Sequence, residues 1–435
     1  MTLDSTGGTT GGTTPDTTTG AALGIDLVDM AFWDRPPQER LADFARLRAL
    51  ESPVYFAEPR VPFVRAGKGF YALVKHADVV AASRNAKVFS SEPAATSPEP
   101  PPWLAKIFGT PMVNMDDPGH ARLRRIVFRA FTPKMLAKIE DEVGALATRI
   151  VDRVVEEGPR DFVEQVAAPF QLNVICAMMG IPEKARPYVL SRVDAMTEYS
   201  GVRGSLASPR TLWLLYGNLK AIVDLRRLVV RLGKARREKP GDDLVSALVN
   251  ANPDGERLSL AELGSFFDLL LVAGNETTRN TLAHGLHLFT EHPEQRDLLL
   301  GDYDERIGGA IEELVRYVSP IIQFRRTLTT DHELGGHAFK AGDKVVLFYL
   351  AANRDPEVFK DPDVFDITRS PNPHVGFGGP GPHLCLGANL ARMELKIMFR
   401  ELFTRLPGLR STGDPTYLLS NFDNGITRLP FAYSR

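Results

Sequence analysis

From Ser259 to about Thr290, apolar residues cover nearly the whole circumference of a helix, with Phe266-Phe267 and Leu269-Leu-Leu-Val272 in unbroken runs. That pattern predicts a long buried helix rather than an amphipathic one. Ser259-Leu-Ala-Glu262 forms a capping box at its start, and His292-Pro293 marks its end. Phe170 to Gly180 is also apolar enough for the core. Gly69-Phe-Tyr-Ala-Leu-Val-Lys75 reads as a strand and His76 to Arg84 as a short helix. Val345 to Ala352 is the longest apolar run, and Val345 to Tyr349, opened by a Gly342-Asp343 turn, predicts a buried strand. Residues 134–239 are mainly helical in pattern, with an exposed turn at Arg236-Arg-Glu-Lys-Pro-Gly-Asp-Asp. Ser91 to Pro111 is a proline-rich loop containing Pro100-Pro101-Pro102-Trp103, and Asn421-Phe-Asp-Asn-Gly425 is a turn.

Composition narrows the class. The chain has 435 residues, 43% hydrophobic and 24% charged, as expected of a globular protein. Length alone suggests two or three domains. A net charge of −2 gives no field for nucleic acid. Cys176 and Cys385 are too few for a disulfide framework, which fits a reducing cytoplasm. No apolar run approaches the roughly 18 residues of a membrane span. The Thr/Gly-rich start, residues 1–24, lacks the basic and apolar regions of a signal peptide and reads as a disordered tail.

Candidate chemistry gathers at Asn372 to Glu394. Cys385 stands between a Gly/Pro-rich loop and a run that turns helical at about Ala388, with Gly376, Gly378, Gly379, Gly381 and Gly387 around it. Glycines let backbone approach a bulky flat ligand, and a helix N-terminus holds a thiolate ionised. Plainer readings exist. Gly376-x-Gly378-x-x-Gly381 matches a dinucleotide fingerprint, but Pro371, Pro373, Pro380 and Pro382 spoil the strand and helix it requires. His383-x-Cys385 as half a zinc site would need ligands from elsewhere, and a lone cysteine is often a small buried hydrophobe.

Other segments leave similar choices. His120 and Arg124, after Asp117-Pro118, share one helix face and suit two carboxylates, or form a solvated basic face. Arg122, Arg125 and Arg129 point elsewhere, as a docking surface for an acidic donor or as exposed residues. Mid-helix lies Ala273-Gly-Asn-Glu-Thr-Thr278. There Ala273 and Gly274 leave space against something flat, and the hydroxyls can loosen the helical ladder. Glu276 is costly in a buried helix without a partner or a role. Thr277 alone would bond back to a carbonyl. His284 and His287 could pair on a metal but have no third ligand nearby.

The residues Phe377, Gly378, Gly381, His383, Cys385 and Gly387 resemble the cysteine-ligand loop of the cytochrome P450 family. Phe377 lies eight residues before Cys385 where the general pattern has seven, and the longer loop is similar to that of an actinobacterial subgroup acting on sterols and methyl-branched lipids. Ala-Gly-x-Glu-Thr-Thr resembles the family's oxygen-binding segment, and Glu313-Leu-Val-Arg316 its structural ion pair. The family's third partner, an Arg before the Phe of Pro-x-x-Phe, is Val364 in Pro362-Asp-Val-Phe365, leaving Arg369 or His374 to substitute.

The resemblance implies one domain, residues 25–435, because segments from His120 to Cys385 must meet at one cofactor. The implied fold is mainly α with small β-sheets (α+β), a triangular prism around haem b. Cys385 would be the axial iron ligand, favouring O–O cleavage. His120, Arg124, Arg326 and His383 would hold the propionates, with Phe377, Gly378 and Gly387 beside the sulfur. Ala273 and Gly274 would border the oxygen site. Thr277 would donate a hydrogen bond to bound dioxygen, and Glu276 would relay protons. Trp103, Leu269, Leu270, Ile321, Ile322 and Phe324 would line an apolar pocket, with Leu104 and Ile107 as further candidates from the loop.

The implied activity inserts one oxygen atom of O2 into a C–H bond of a lipophilic substrate. Arg325-Arg-Thr-Leu328, Gly-Asn-Glu-Thr-Thr-Arg279 and Pro373-His-Val-Gly-Phe-Gly378 resemble the terminal hydroxylases of methyl-branched lipids and sterol side chains. A natural-product tailoring hydroxylase or epoxidase is the alternative, and a non-catalytic haem ligand-binding protein a more distant one. Nothing resembles a flavin or iron–sulfur domain, so electrons from NAD(P)H would arrive through a ferredoxin reductase and a ferredoxin. The expectation is a cytoplasmic monomer without a membrane anchor.

Overall fold

The computed structural model describes residues 18–58, 69–96, 109–130, 133–200, 209–252 and 254–434. Its helices of more than ten residues are α1 (Pro37–Arg48), α2 (Gly119–Ala130), α3 (Pro133–Glu157), α4 (Ala168–Met178), α5 (Arg186–Ser200), α6 (Pro209–Glu238), α7 (Leu260–Glu291), α8 (Tyr303–Val318) and α9 (Ala388–Arg405). Helices dominate and the strands are short, as the expected α+β class requires. Among the described residues no helix is long and apolar enough to cross a membrane.

α7 is the axis of the helical core. Ser259 Oγ accepts the Glu262 N–H at 3.2 Å and Glu262 Oε2 accepts the Ser259 N–H at 2.8 Å, so the capping box is closed in both directions. Leu263, Phe267, Leu282, Leu286 and Phe289 bury into one continuous cluster with α3, α4, α8 and α9. Burial of this kind contributes roughly 1.5–3 kcal/mol per large side chain. α7 stays α-helical through Ala273–Thr278, so the glycine and hydroxyls do not break its ladder.

A five-stranded sheet carries two further hydrophobic clusters, with strands in the order β1 (Val54–Phe56), β2 (Phe70–Leu73), β7 (Lys344–Phe348), β4 (Gln323–Leu328), β3 (Phe89–Ser90). Strand β7 alternates with period two and is buried on both faces. Val345 and Leu347 join Leu73, Val79 and Phe89, while Val346 and Phe348 join Phe32, Trp33 and Phe44. β5 (His332–Leu334) and β6 (His337–Phe339) form a separate hairpin. Two further pairs, β8 (Arg410–Ser411) with β11 (Phe431–Ala432) and β9 (Thr416–Tyr417) with β10 (Ile426–Arg428), bring the C-terminal segment back against α7.

The first described residues correct the expected tail boundary. Thr18 O accepts the Tyr55 N–H at 3.1 Å and residues Gly20–Leu23 form a helical turn, so 18–24 are structured. Gly20 is buried and leaves no room for a side chain beside Phe56. Residues 1–17 lie outside the described residues, as do Trp103, Leu104 and Ile107 of the proline-rich loop.

Candidate active site

Cys385 sits between the loop and α9. Its N–H donates to Phe377 O at 2.9 Å, and its sulfur accepts the backbone N–H of Gly387, the residue preceding α9. The side chain is exposed, yet burial is the largest influence on its acidity. Both are satisfied if the sulfur borders an internal space walled by protein. Burial raises the thiol pKa against Gly387, Arg124 and Arg392, so the helix N-terminus alone does not ionise it as the sequence suggested. Coordination to a metal deprotonates such a thiol outright.

The loop glycines divide by what faces them. A Cβ at Gly376 would lie 2.6 Å from Val315 Cγ1, and at Gly379 or Gly381 it would collide with Ser83. Gly378 has φ +85°, a conformation that glycine adopts without strain. Gly376, Gly379 and Gly381 therefore seat the loop on α8 and the helix His76–Arg84 rather than making room for a ligand, while Gly378 supplies a turn within the loop. Gly387 differs, since a Cβ there would meet nothing within 4 Å.

α7 opens an accessible strip in its buried middle. Val272 is 51% exposed and Ala273 is exposed, while Leu271 and Asn275 on either side are buried at 4%. Gly274 does not contribute to the strip as expected, because its missing side chain faces Ile175 of α4 at 3.4 Å. Leu269 and Leu270 are half-buried. Thr277 Oγ1 donates to Ala273 O at 2.8 Å, so the back-bonded arrangement holds and its proton would need to turn to serve another acceptor.

Four basic side chains converge near the sulfur from three elements. His120 and Arg124 come from α2, Arg326 from β4, and His383 from the loop. The rings of His120 and His383 stand 4.1 Å apart. Burial, then Arg326, His120 and Arg124, push the His383 pKa down to about 3. Arg326 is 4% exposed, and among the described residues neither it nor Arg124 has a carboxylate at ion-pair distance. His120 reaches only the exposed Asp117, at 3.4 Å. Burial lowers His120 as well, so the two imidazoles lean neutral, and it is the guanidiniums of Arg124 and Arg326, with so little countercharge, that call for an anionic ligand. Two propionates at Arg124 and Arg326, and iron at the thiol beside the open space of Gly387, would fit this donor set.

Behind the loop, Glu313 and Arg316 form a fully buried pair with two bonds of 2.8 Å. Arg316 also donates to the Asn353, Pro362 and Val364 carbonyls. Arg369 fills the third place, its Nε 3.2 Å from Glu313 Oε2, while His374 turns to Glu312 at 3.0 Å. Glu312 was missed from the sequence. Burial pushes its carboxyl up, but Arg392 and His374 hold it down at about 2, tying loop to α9.

Other expectations resolve differently. Ile322 is fully buried in the cluster of Phe32, Phe44 and Phe348 and is no pocket wall. Ile321 and Phe324 are half-buried, with Phe324 edge-on to Phe422 at 5.3 Å. Arg122, Arg125 and Arg129 pair with Glu262, Glu256 and Asp254, so these charges are met within the chain. His284 lies 3.2 Å from Asn424 O and His287 3.5 Å from Ser411 Oγ, and no group of three metal-binding side chains exists among the described residues. Glu276 has partners that sequence reading passed over: it ion-pairs with Arg279 and lies near Asp423. A separate cleft of about 570 Å3, lined in part by Lys138, Glu142, Arg186 and Arg236, contains none of these groups.

Known proteins match this chain over most of its length. The chain is 44% identical over 415 residues to a methyl-branched lipid omega-hydroxylase of Mycobacterium tuberculosis (strain CDC 1551 / Oshkosh), covering 94% of this chain and 95% of the relative. It is 37% identical over 413 residues to a steroid C26-monooxygenase of Mycolicibacterium smegmatis, covering 92% and 91%. A Mycobacterium marinum cytochrome P450 solved in complex with pseudoionone superposes with a TM-score of 0.84 at 40% identity, covering 94% of this chain and 99% of that one. The sequence profile described as Cytochrome P450 matches residues 75–407. The chain belongs to the cytochrome P450 family and is a monooxygenase.

Proposed function

We propose that this monooxygenase hydroxylates the terminal carbon of a methyl-branched lipid or of a sterol side chain. The observation that carries the reading is the exposed apolar pair Val272 and Ala273 in the otherwise buried middle of α7, in a chain whose Cys385 side chain is also exposed. Relatives named for both substrate classes match across nearly the whole chain. Bound haem supplies the activation of O2 for transfer to carbon. Cys385 would hold the iron. His120, Arg124, Arg326 and His383 would hold the propionates, with Phe377, Gly378 and Gly387 around the sulfur. Leu269, Leu270, Ile321 and Phe324 would orient an apolar chain and exclude water. Thr277 and Glu276 would move protons toward the reacting face. Electrons would come from NAD(P)H through a ferredoxin reductase and a ferredoxin to a cytoplasmic monomer.

Optical titration of the haem-loaded protein with a methyl-branched fatty acid, cholest-4-en-3-one and a macrolide tests the substrate. A tight low-spin to high-spin shift with the first or second supports terminal hydroxylation and chooses between them. A shift with the macrolide alone overturns it in favour of a tailoring enzyme.

A further inference from the structure

The turn 420–425 is clamped onto α7 and onto the segment entering β4. Asn424 N–H donates to Pro320 O at 3.0 Å, Asn424 Nδ2 to Val318 O at 2.5 Å, and Ile322 N–H to Phe422 O at 2.7 Å. Asp423 forms a β-bridge with Ile321. On the other side His284 meets Asn424 O, and a Cβ on Gly425 would lie 2.9 Å from Asn280 Oδ1. These contacts hold Asp423 beside the middle of α7, within the field of both Glu276 and Arg279. Arg279 is ion-paired with Glu276. Asp423 thus feels the one guanidinium that Glu276 already pairs with, and with all three charged a negative charge would remain uncompensated at this half-buried place. Among the described residues, Asn275 Oδ1, Arg279 Nε and both side-chain polar atoms of Asn280 have no hydrogen-bond partner, although these residues are only 4%, 8% and 0% exposed. Buried polar groups left open in this way are met by ordered water.

We propose that Asp423 supplies protons to Glu276 through this polar, water-holding strip of α7, as a positioning residue that acts through Glu276. The inference rests on the reading of Glu276 as a proton carrier. In each transfer the Asp423 O–H proton passes to the Glu276 carboxylate after Glu276 has released its own proton toward Thr277. Asp423 then regains a proton from water. Only O–H bonds form and break, and these residues exchange no electrons. The acidities agree with the geometry. Burial and then Glu276 raise Asp423 to about 7, with Arg279 opposing. Burial also raises Glu276, against Arg279 and Asn275. The other titratable group against this turn, His284, is pushed down to about 3 by burial, then by His287 and Arg40, and stays neutral. The pair thus holds a proton near neutrality and loses it as pH rises through about 7.

The test compares Asp423→Asn, Asp423→Glu and Glu276→Gln in haem-loaded protein with its redox partners. Product formed per NAD(P)H oxidised and peroxide released are followed across neutral pH. Asp423→Asn is expected to lower product per electron pair on the order of tenfold and to abolish an alkaline limb near neutrality. Asp423→Glu should restore both. Because burial also raises Asp268 to about 7, infrared spectra of carbon-13-aspartate-labelled protein are taken in an Asp268→Asn background, and should show a carboxyl losing its proton near pH 7 without any turnover. Unchanged coupling and an unchanged limb in Asp423→Asn overturn the proposal, as does an absent infrared band, which decides alone if Asp423→Asn fails to load haem. If Glu276→Gln uncouples turnover and Asp423→Asn does not, only the role of Asp423 falls. If Glu276→Gln leaves coupling intact, the reading of Glu276 falls with it.

Discussion

Cys385 and Glu394 lie on the same stretch of chain, and burial raises the pKa of both acids. Glu394 is 1% exposed on α9, its carboxyl pushed up to about 8 by burial against bonds from Gln171 and Thr278. A carboxyl raised in the folded state costs nothing below its unfolded value near 4.5 and costs progressively more as pH rises toward 8. Glu394→Gln should therefore flatten the fall in melting temperature over that window, and a series of thermal melts by pH checks it. A steeper fall in the variant would show the carboxyl to be charged and paired. For Cys385→Ser the expected outcome is loss of the thiolate-type carbon monoxide spectrum. At this scale the sequence was only partly legible. The Glu276–Arg279 pair has the ordinary i, i+3 spacing and could have been read. Asp423 could not, because it reaches Glu276 from a remote turn and no periodicity links them.

Among elements, those set by local rules were legible and those set by contact were not. The capping box of α7 and the helix His76–Arg84 follow from neighbouring residues and occur where expected. The loop glycines were misread because what faces a missing side chain is a tertiary fact. That fact separates two substitutions. Gly376→Ala drives a methyl into Val315 and should lower stability by ~1–3 kcal/mol, seen as a lower melting temperature. Gly387→Ala meets no protein atom and should leave the apoprotein's melting unchanged while lowering haem per chain. If both variants melt alike in the apoprotein, that division is wrong. Glu313→Gln leaves Arg316 and Arg369 buried without their counter-charge. It should cost ~3–5 kcal/mol in denaturant unfolding, a penalty characteristic of a broken buried pair.

For the whole molecule, length suggested several domains, whereas the site draws residues from α2, β4, α7, α8, α9 and the cysteine loop. One helical cluster and the two clusters on the faces of the sheet make up the molecule's buried interior. Under the proposed assignment, bound haem would cover the accessible strip on α7 and the guanidiniums of Arg124 and Arg326. Extracting it should lower the unfolding midpoint, and adding it back should raise that midpoint with haem concentration, as ligand linkage requires. A midpoint indifferent to haem would mean that the cofactor does not seat there.

The contact between Ser91 and His383, at 3.1 Å, joins positions 292 residues apart, whereas the closing bonds of the α7 capping box span three. Closing a loop of that length gains nothing until its ends meet, so local helix can form well ahead of it. In refolding from denaturant, far-ultraviolet helical signal should recover before the chain becomes able to retain pigment. A nascent chain released short of residue 383 would be largely helical and colourless.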